Sequence, residues 1–406
     1  MSKWFIALTG SCIHLLLGTV YAWSFFQTPL VESTGWSHSQ VAWAFSLSIF
    51  MLGVAAAWGG FKLPRFGPRT LALSGGFLYG LGYLLAALSL KNHELWLLYL
   101  GFGVCGGTGL GLAYVAPVAT VSRWFDRFQG VAAGLVIMGF GLGALVMSKV
   151  LAPFFLSLAK QDLSQAFFYL GVVFIVLLPF LALFLQNPVE QIAASASGCT
   201  PSYRKHLLAR PFAVLWFLFA INIIAGMVFI AFQSPLLQDL LLAQSPGISK
   251  ASLVSQGATL IAFSSVFNGV GRFLWGSISD FLGRTQSFRV LLFVQVLIFI
   301  LLTGVESPLV FSVLVCAILL CYGGGFGVMP SLIKEYYGAR LMPVMYGSIL
   351  TAWSAGGVAG PQLVAYLRDH HGSQAGFLSF LVSGALLFLG FLLSFLLPRE
   401  AANARS

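Results

Sequence analysis

The chain has 406 residues, of which 59% are hydrophobic and only 8% are charged, and its mean hydropathy is +0.93. This balance lies far outside the range of soluble domains and excludes an ordinary water-soluble fold. The formal net charge of +10 could suggest a nucleic-acid partner. The basic residues are spread over the breaks between apolar runs, however, so the composition predicts an all-α membrane protein.

Apolar runs long enough to cross a bilayer repeat from one end of the chain to the other. About 20 apolar residues in a helix span the hydrocarbon core. We predict twelve transmembrane helices. Their predicted spans are Trp4–Pro29, Gln40–Phe61, Leu71–Leu90, Leu95–Val121, Val131–Leu156, Phe167–Leu185, Phe212–Leu241, Leu253–Phe281, Phe288–Val305, Leu309–Ile333, Val344–Leu367 and Phe377–Leu397.

The basic residues in the breaks fall mainly on one side of the membrane. Only Lys91, Lys160, Lys250 and Arg368 fall on the opposite side. Because basic loops stay cytoplasmic, we expect a multi-pass protein of the cell inner (plasma) membrane with both termini in the cytosol. This sorting explains the basic charge without a nucleic-acid partner.

Metal, cofactor and enzyme chemistry find no support in the sequence. The five cysteines lack any C-x-x-C pairing, and the six histidines show no metal-ligand spacing. No nucleophile, base and orienting group occur together. We therefore predict no disulfide framework, metal site or cofactor, and no enzymatic activity.

The longest polar break divides the chain into two halves. We predict an N-terminal six-helix bundle at residues 1–186, a cytoplasmic linker at 187–210, rich in Ser, Pro and basic residues, and a C-terminal six-helix bundle at 211–406. The loops "GFKLPRFGPR" and "GSISDFLGR" repeat at a constant interval, because Gly276 follows Gly60 by 216 residues and Gly283 follows Gly67 by 216. Two such halves around a central cavity are typical of secondary transporters.

The motif G-x-x-x-D-x-x-G-R resembles the cytoplasmic loop signature of the major facilitator superfamily. It is formed by Gly276, Asp280, Gly283 and Arg284, while the N-terminal copy has Pro64 at the aspartate position. The segments "RWFDRFQGVAAGLVIMG" and "NGVGR" are similar to those of the bacterial monocarboxylate (lactate) porters, and the second also to oxalate:formate antiporters. The resemblance covers the whole chain. It implies two pseudo-symmetric bundles, a monomer, and a cavity lined by helices one, four, seven and ten with helix eight beside them.

Depth in the membrane separates a functional charge from one that reaches water, since a charge at the helix centre costs at least ~2.5–3.5 kcal/mol. Arg272 lies eight residues before Asp280, or about 12 Å along the helix, which is near the midplane. Lys149 lies 22 residues after Arg127, about 33 Å, and we expect it to reach the outer surface.

Four other polar or aromatic side chains are predicted at a similar depth, about 14–18 Å from the cytoplasmic helix ends. They are His14, Tyr114, Asn222 and Tyr322. With Arg272 they form a candidate substrate site. The alternative is that they serve packing and interhelical hydrogen bonds.

No acidic residue is predicted at the depth of Arg272, because every Asp and Glu belongs to a loop or a helix end. Arginine stays protonated when it is buried, so the site must supply an anion or water. Asn268, four residues earlier on the same helical face, can accept one hydrogen bond but cannot compensate the charge. We expect the transported solute to be the counter-ion; permanent hydration by cavity water is the alternative.

A planar guanidinium matches a carboxylate through two parallel hydrogen bonds. Oxalate:formate antiporters of similar sequence carry a second cation on helix eleven, where this chain has Trp353. One deep cation therefore favours a monocarboxylate such as L-lactate or pyruvate. Trp353 either lines the pocket or packs between helices.

Moving an anion alone against a negative interior costs about 2.3 kcal/mol per 100 mV, so uptake needs a compensating cation or an exchange. We expect proton-coupled symport by alternating access. The resembling porters carry an aspartate at the position of Asn268, which cannot titrate, so the proton is assigned to His14, to water around Arg272 or to the carboxylic acid itself. The alternatives are a carboxylate exchanger of the oxalate:formate type, a drug exporter and a membrane solute sensor.

Overall fold

The computed structural model of the protein describes residues 2–125, 129–186 and 203–397. Every regular element within these ranges is helical, which confirms the all-α fold class. Most of the predicted linker at residues 187–210 lies outside the described residues, as do Asp126 and Arg127. The division into two bundles at this linker stays a prediction.

Eleven helices in the described ranges are long and apolar enough to cross a membrane. They are α1 (Lys3–Thr34), α2 (His38–Leu63), α3 (Arg65–Asn92), α4 (Leu95–Val121), α5 (Gly134–Leu158), α6 (Leu163–Ala182), α7 (Arg210–Gln244), α8 (Lys250–Leu282), α9 (Arg284–Leu302), α10 (Pro308–Gly338) and α12 (Ala375–Leu396). A multi-pass membrane architecture is therefore confirmed. Among these eleven helices, α7 has the largest share of buried residues and α12 has the smallest.

The remaining predicted crossing, Val344–Leu367, is formed by two consecutive helical pieces. The run that begins at Pro308 reverses at Gly338 and continues to Ile349, and α11 (Thr351–His371) follows after Leu350. At 21 residues α11 is about 32 Å long, enough to span the hydrocarbon core. Its mean hydropathy is low because Gly, Ser, Pro and Gln residues occur along it and its last turn is charged and polar, so eleven helices rather than the predicted twelve qualify by length and composition.

Three sharp reversals at one end of the helices occur at glycines with positive φ. Gly67 has φ 75°, Gly283 has φ 85° and Gly338 has φ 74°. Residues with a Cβ rarely adopt these angles, so the turns depend on glycine. Gly67 and Gly283 are the pair that the sequence repeat relates, and both halves therefore use the same turn. We call this end of the molecule the motif face and the other end the opposite face.

Ion pairs fasten the helix ends at both faces. At the motif face, Arg284 pairs with Asp280 at 2.9 Å and with Glu335 at 3.2 Å, which links the α8–α9 turn to α10. At the opposite face, Lys250 on α8 pairs with Glu32 on α1 at 2.6 Å. Exposed pairs of this kind each contribute about 0–1 kcal/mol to the free energy of unfolding. They therefore hold the helix ends next to each other and add little to the stability of the fold.

Small residues bring α5 of the first half against α8 of the second half. A Cβ on Gly141 would lie 2.6 Å from the Cα of Gly269, so the two backbones are in direct contact. Ser265 on α8 donates a hydrogen bond to the carbonyl oxygen of Gly141 at 2.6 Å. Close backbone approach and serine hydrogen bonds drive helix association in lipid, where the hydrophobic effect between helices is absent.

Substitution of Gly141 by valine should separate α5 from α8. The added methyl groups would overlap the α8 backbone, and overpacking of this kind costs about 1–3 kcal/mol. We expect the melting temperature of the detergent-purified protein, followed by tryptophan fluorescence, to fall by several degrees. Gly134→Ala is the matched control on the same helix, because its Cβ would meet only Phe273 at 3.9 Å. An unchanged melting temperature for Gly141→Val would contradict this packing.

Candidate functional site

Arg272 on α8 is buried in the middle of the helices, with 1% of its surface exposed. Its Nε donates to Oδ1 of Asn268 at 3.4 Å, and its Nη1 donates to the carbonyl oxygen of Ile137 on α5 at 3.4 Å. Its Nη2 has no hydrogen-bond partner in the described structure. A buried donor without a partner costs about 1–3 kcal/mol, and more when it is charged.

No carboxylate pairs with Arg272 within residues 2–125, 129–186 and 203–397. The ion pairs found there join the ends of helices, and none of them includes Arg272. The guanidinium lies instead against two aromatic rings, with its central carbon 4.8 Å from the ring centre of Phe326 and 5.4 Å from that of Phe140. Ring faces attract a cation without neutralising it. The structure thus keeps a positive charge in its core without an acidic partner from the described chain.

Aromatic rings from four helices surround Trp353 next to the guanidinium. Its ring centre lies 4.6 Å from Phe326, 5.3 Å from Tyr114, 5.6 Å from Phe140 and 6.2 Å from Tyr21. Helix α11 therefore meets α1, α4, α5 and α10 at this tryptophan. Trp353 therefore packs between helices, while pocket lining, its other predicted role, stays a prediction.

Two tyrosines join the first half of the chain to the second across the site. The hydroxyls of Tyr21 on α1 and Tyr322 on α10 are 2.5 Å apart. The indole Nε1 of Trp353 faces the Tyr322 hydroxyl, although this approach lacks hydrogen-bond geometry. Tyr21 lies in a short 3₁₀ segment, Gly18–Ala22, that interrupts α1.

His14 and Tyr114 form the side of the site contributed by α1 and α4. The imidazole stacks on the Tyr114 ring with centres 4.6 Å apart, and its Nε2 lies 2.9 Å from the Tyr114 carbonyl oxygen. The Nδ1 of His14 and the hydroxyl of Tyr114 have no hydrogen-bond partner in the described structure. The hydroxyl of Tyr346, between Gly338 and Ile349, lies close to that of Tyr114, although this approach lacks hydrogen-bond geometry.

The structure brings most of the predicted site residues together in one buried group, which we call the central cluster. It contains the predicted Arg272, Asn268, Tyr114, Tyr322, Trp353 and His14, together with Tyr21, Phe140, Phe326 and Tyr346. Asn222 differs from these. Its amide donates to the backbone oxygen of Tyr322 at 3.4 Å and accepts from Gln295 at 2.9 Å, so it joins α7 to α9 and α10, and its contact with a solute stays a prediction.

The sequence prediction missed Tyr21, Phe140, Phe326 and Tyr346 for identifiable reasons. Counted from Lys3 at ideal rise, Tyr21 lies about 27 Å into α1 and so appears too far from the midplane. The two phenylalanines carry no polar atom. Tyr346 lies two residues after Val344, the predicted start of a helix. Residue counting therefore places it near the membrane surface and not at the depth of Arg272.

The residues of the cytoplasmic loop motif and Lys149 lie away from the central cluster. Gly276, Asp280, Gly283 and Arg284 form the α8–α9 turn at the motif face. Lys149 donates to the hydroxyl of Thr259 at 2.7 Å and is exposed; its position at the outer surface stays a prediction.

Membrane-spanning helices in two halves, with a polar site between them, are typical of secondary transporters. The Major Facilitator Superfamily family model matches residues 7–361 and 235–406. The chain therefore belongs to this superfamily, whose members transport solutes and are not enzymes.

Relatives and a solved structure agree with this membership. The oxalate:formate antiporter of Oxalobacter formigenes is 25% identical over 405 residues, which cover 98% of this chain and 92% of the antiporter. Monocarboxylate transporter 11 of Homo sapiens is 26% identical over 420 residues, 98% of this chain and 83% of that protein. The crystal structure of a bacterial homologue of the human lysosomal transporter Spinster, inward-facing and unoccupied, matches with a TM-score of 0.70 and 15% identity over 97% of this chain and 96% of that chain.

Replacement of Arg272 by methionine should stabilise the empty protein. Methionine fills a similar volume and removes a buried charge that lacks an acidic partner, and such replacements are often stabilising. We expect the melting temperature without added solute to rise by a few degrees. The control is Arg289→Met, which loses hydrogen bonds to Ser394 and Gln286 and should lower it. A lower melting temperature for Arg272→Met would indicate that Arg272 is a structural residue.

Proposed function

We propose that this protein is a secondary active transporter that carries a small monocarboxylate, such as L-lactate or pyruvate, together with a proton. The observation that carries the proposal is the guanidinium of Arg272, which is buried, has an unused Nη2 donor and pairs with no carboxylate of the described chain. A carboxylate solute would supply both the missing charge and the missing hydrogen-bond acceptors.

The charge and the aromatic surroundings of the candidate site favour a short monocarboxylate. One deep cation balances one carboxylate, and the surrounding rings of Tyr114, Trp353 and Phe140 offer an apolar wall to a short carbon tail. The names of the relatives support carboxylates in general, since one is a monocarboxylate transporter and another exchanges the dicarboxylate oxalate with formate.

Alternating access would use the contacts between the two halves of the chain. At the opposite face the Lys250–Glu32 ion pair and the hydrogen bonds from Ser39 to Asp369 join the halves. These polar contacts can break and reform at little cost because water replaces them. We assign the motif face and both termini to the cytosol of a plasma membrane, and the two moving bodies to residues 1–186 and 211–406 of a monomer.

Proton coupling would neutralise the anion during uptake. His14 is the titratable side chain that lies against Tyr114 within the electrostatic range of Arg272. The proton would travel on this imidazole, through water near Arg272, or on the carboxylic acid itself.

Uptake into proteoliposomes tests the transported class. We expect an inward proton gradient to accelerate the entry of labelled lactate or pyruvate several-fold. Arg272→Gln should reduce uptake by about 10- to 100-fold, because a charge-assisted hydrogen bond is worth about 1.5–3 kcal/mol. Arg289→Gln at the motif face serves as the control and should transport normally. Uptake by Arg272→Gln at the wild-type rate would refute the role of the guanidinium.

Substitution of His14 by glutamine tests the route of the proton. Glutamine keeps a polar side chain but cannot titrate. If the imidazole carries the proton, counterflow of labelled solute should remain within about threefold of wild type, while acceleration by the proton gradient disappears. Retention of that acceleration would exclude His14 as the carrier.

Carboxylate exchange is the second candidate function. It is favoured by Asn268, which accepts from Arg272 at 3.4 Å but cannot titrate, and by the similarity to the oxalate:formate antiporter. An exchanger requires solute on both sides of the membrane. Rapid counterflow with no response to a proton gradient would favour exchange over symport.

A further inference from the structure

A groove of about 470 Å³ lies between α5 and α8 near the opposite face. It follows the boundary between the two halves of the chain, because α5 belongs to the first half and α8 to the second. Its walls combine basic side chains with apolar and neutral polar ones. They include Lys149, Lys250, Pro153, Leu156, Val254 and Ser255.

The groove carries a positive charge that the described chain does not fully neutralise. Lys149 and Lys250 are the charged side chains among the described residues that line it. Lys250 pairs with Glu32 at 2.6 Å. No carboxylate of residues 2–125, 129–186 and 203–397 pairs with Lys149, whose Nζ donates to the hydroxyl of Thr259 at 2.7 Å. An ammonium has three donors, so Lys149 keeps two of them and its full charge for a ligand.

Lys149 lies deep along α5 for an exposed cation. It precedes Leu158, where α5 ends, by nine residues, or about 13 Å along the helix. Between Lys149 and the end of α5, the side chains of Val150, Phe154 and Leu158 are each more than half exposed. Exposed apolar side chains on a membrane-spanning helix contact lipid, so this cation lies at the level of the lipids and not in the water beyond α5.

The backbone of α5 is also irregular at this point. Met147–Leu151, the segment that contains Lys149, is a π-helical turn within an otherwise α-helical element. Single π-helical turns of this kind occur frequently at functional sites. The local widening and the uncompensated charge therefore fall on the same residue.

We propose that this groove binds the headgroup of an anionic phospholipid of the phosphatidylglycerol type. Lys149 binds the phosphate, Lys250 adds positive charge at the mouth of the groove, and an acyl chain follows the exposed apolar side chains of α5. Basic residues at a membrane surface attract anionic lipids in this way. A lipid held there contacts both halves of the chain at once.

The composition of the groove favours this ligand over two others. A soluble anion would match the lysines but would make no use of the apolar surface beside them. A zwitterionic headgroup carries its own ammonium, for which the described lining of the groove offers no carboxylate. The hydroxyls of a glycerol headgroup can bond to the neutral side chains of Gln161 and Ser255, which line the groove. The proposal is independent of the proposed function, because it uses no residue of the central cluster.

Native mass spectrometry of the purified full-length protein tests this site. The protein is mixed with equal amounts of phosphatidylglycerol and phosphatidylcholine that carry the same acyl chains. We expect the wild-type protein to retain phosphatidylglycerol with a preference of about fivefold or more. Lys149→Gln should weaken this binding about fivefold, the effect of one lysine at an anionic membrane surface. Lys149→Arg should preserve it, because the charge remains.

The matched control is Lys91→Gln. Lys91 is exposed in the last turn of α3 at the opposite face and is not part of the groove lining, so its replacement should leave the lipid preference unchanged. Equal weakening by Lys149→Gln and Lys91→Gln would show attraction to surface charge in general and would refute a defined site. Equal retention of both lipids by the wild-type protein would also refute it.

Soluble anions are tested as competitors at constant ionic strength. We expect that inorganic phosphate and L-lactate, each compared with chloride, do not displace the retained phosphatidylglycerol. Displacement by either of them would show that the groove takes a soluble anion, and the assignment to a lipid headgroup would be wrong.

Discussion

The burial of a permanently charged guanidinium without an acidic partner from the described chain is the constraint on which the site depends. Arg272 cannot lose its proton, so the protein must surround the charge with whatever weak acceptors it has. It uses one amide oxygen, one backbone carbonyl and the faces of two phenylalanine rings. These contacts hold the group in position and leave its charge uncompensated, which is the condition a binding site for an anion requires.

Close helix packing is what makes this arrangement possible. A Cβ on Gly271 or Gly327 would overlap the backbone of the facing helix, so α8 and α10 are in direct contact on either side of Arg272. Such contact excludes lipid and brings Phe326 over the guanidinium. The glycines at the helix interfaces therefore contribute to the chemistry of the site, although none of them carries a functional group.

The residues of the central cluster come from both halves of the chain. Tyr21 and Phe140 come from the first half, while Tyr322, Phe326 and Trp353 come from the second. Any movement of one half against the other must change these contacts. A solute bound at Arg272 would therefore influence the equilibrium between conformations in proportion to its preference for one of them.

The sequence alone determined the membrane class, the helices and the family, because hydropathy, basic loops and the repeated turn motif are local patterns. It also identified Arg272, since a charge within an apolar run is visible without coordinates. Only the tertiary structure decided which side chains surround it. Tyr21 reaches the site through a 3₁₀ interruption of α1, Asn222 turns toward Gln295, and Tyr346 faces Tyr114 from a separate helix. Such contacts depend on helix tilt, rotation and breaks, which side-chain packing between distant segments sets and which residue counting at ideal rise cannot supply.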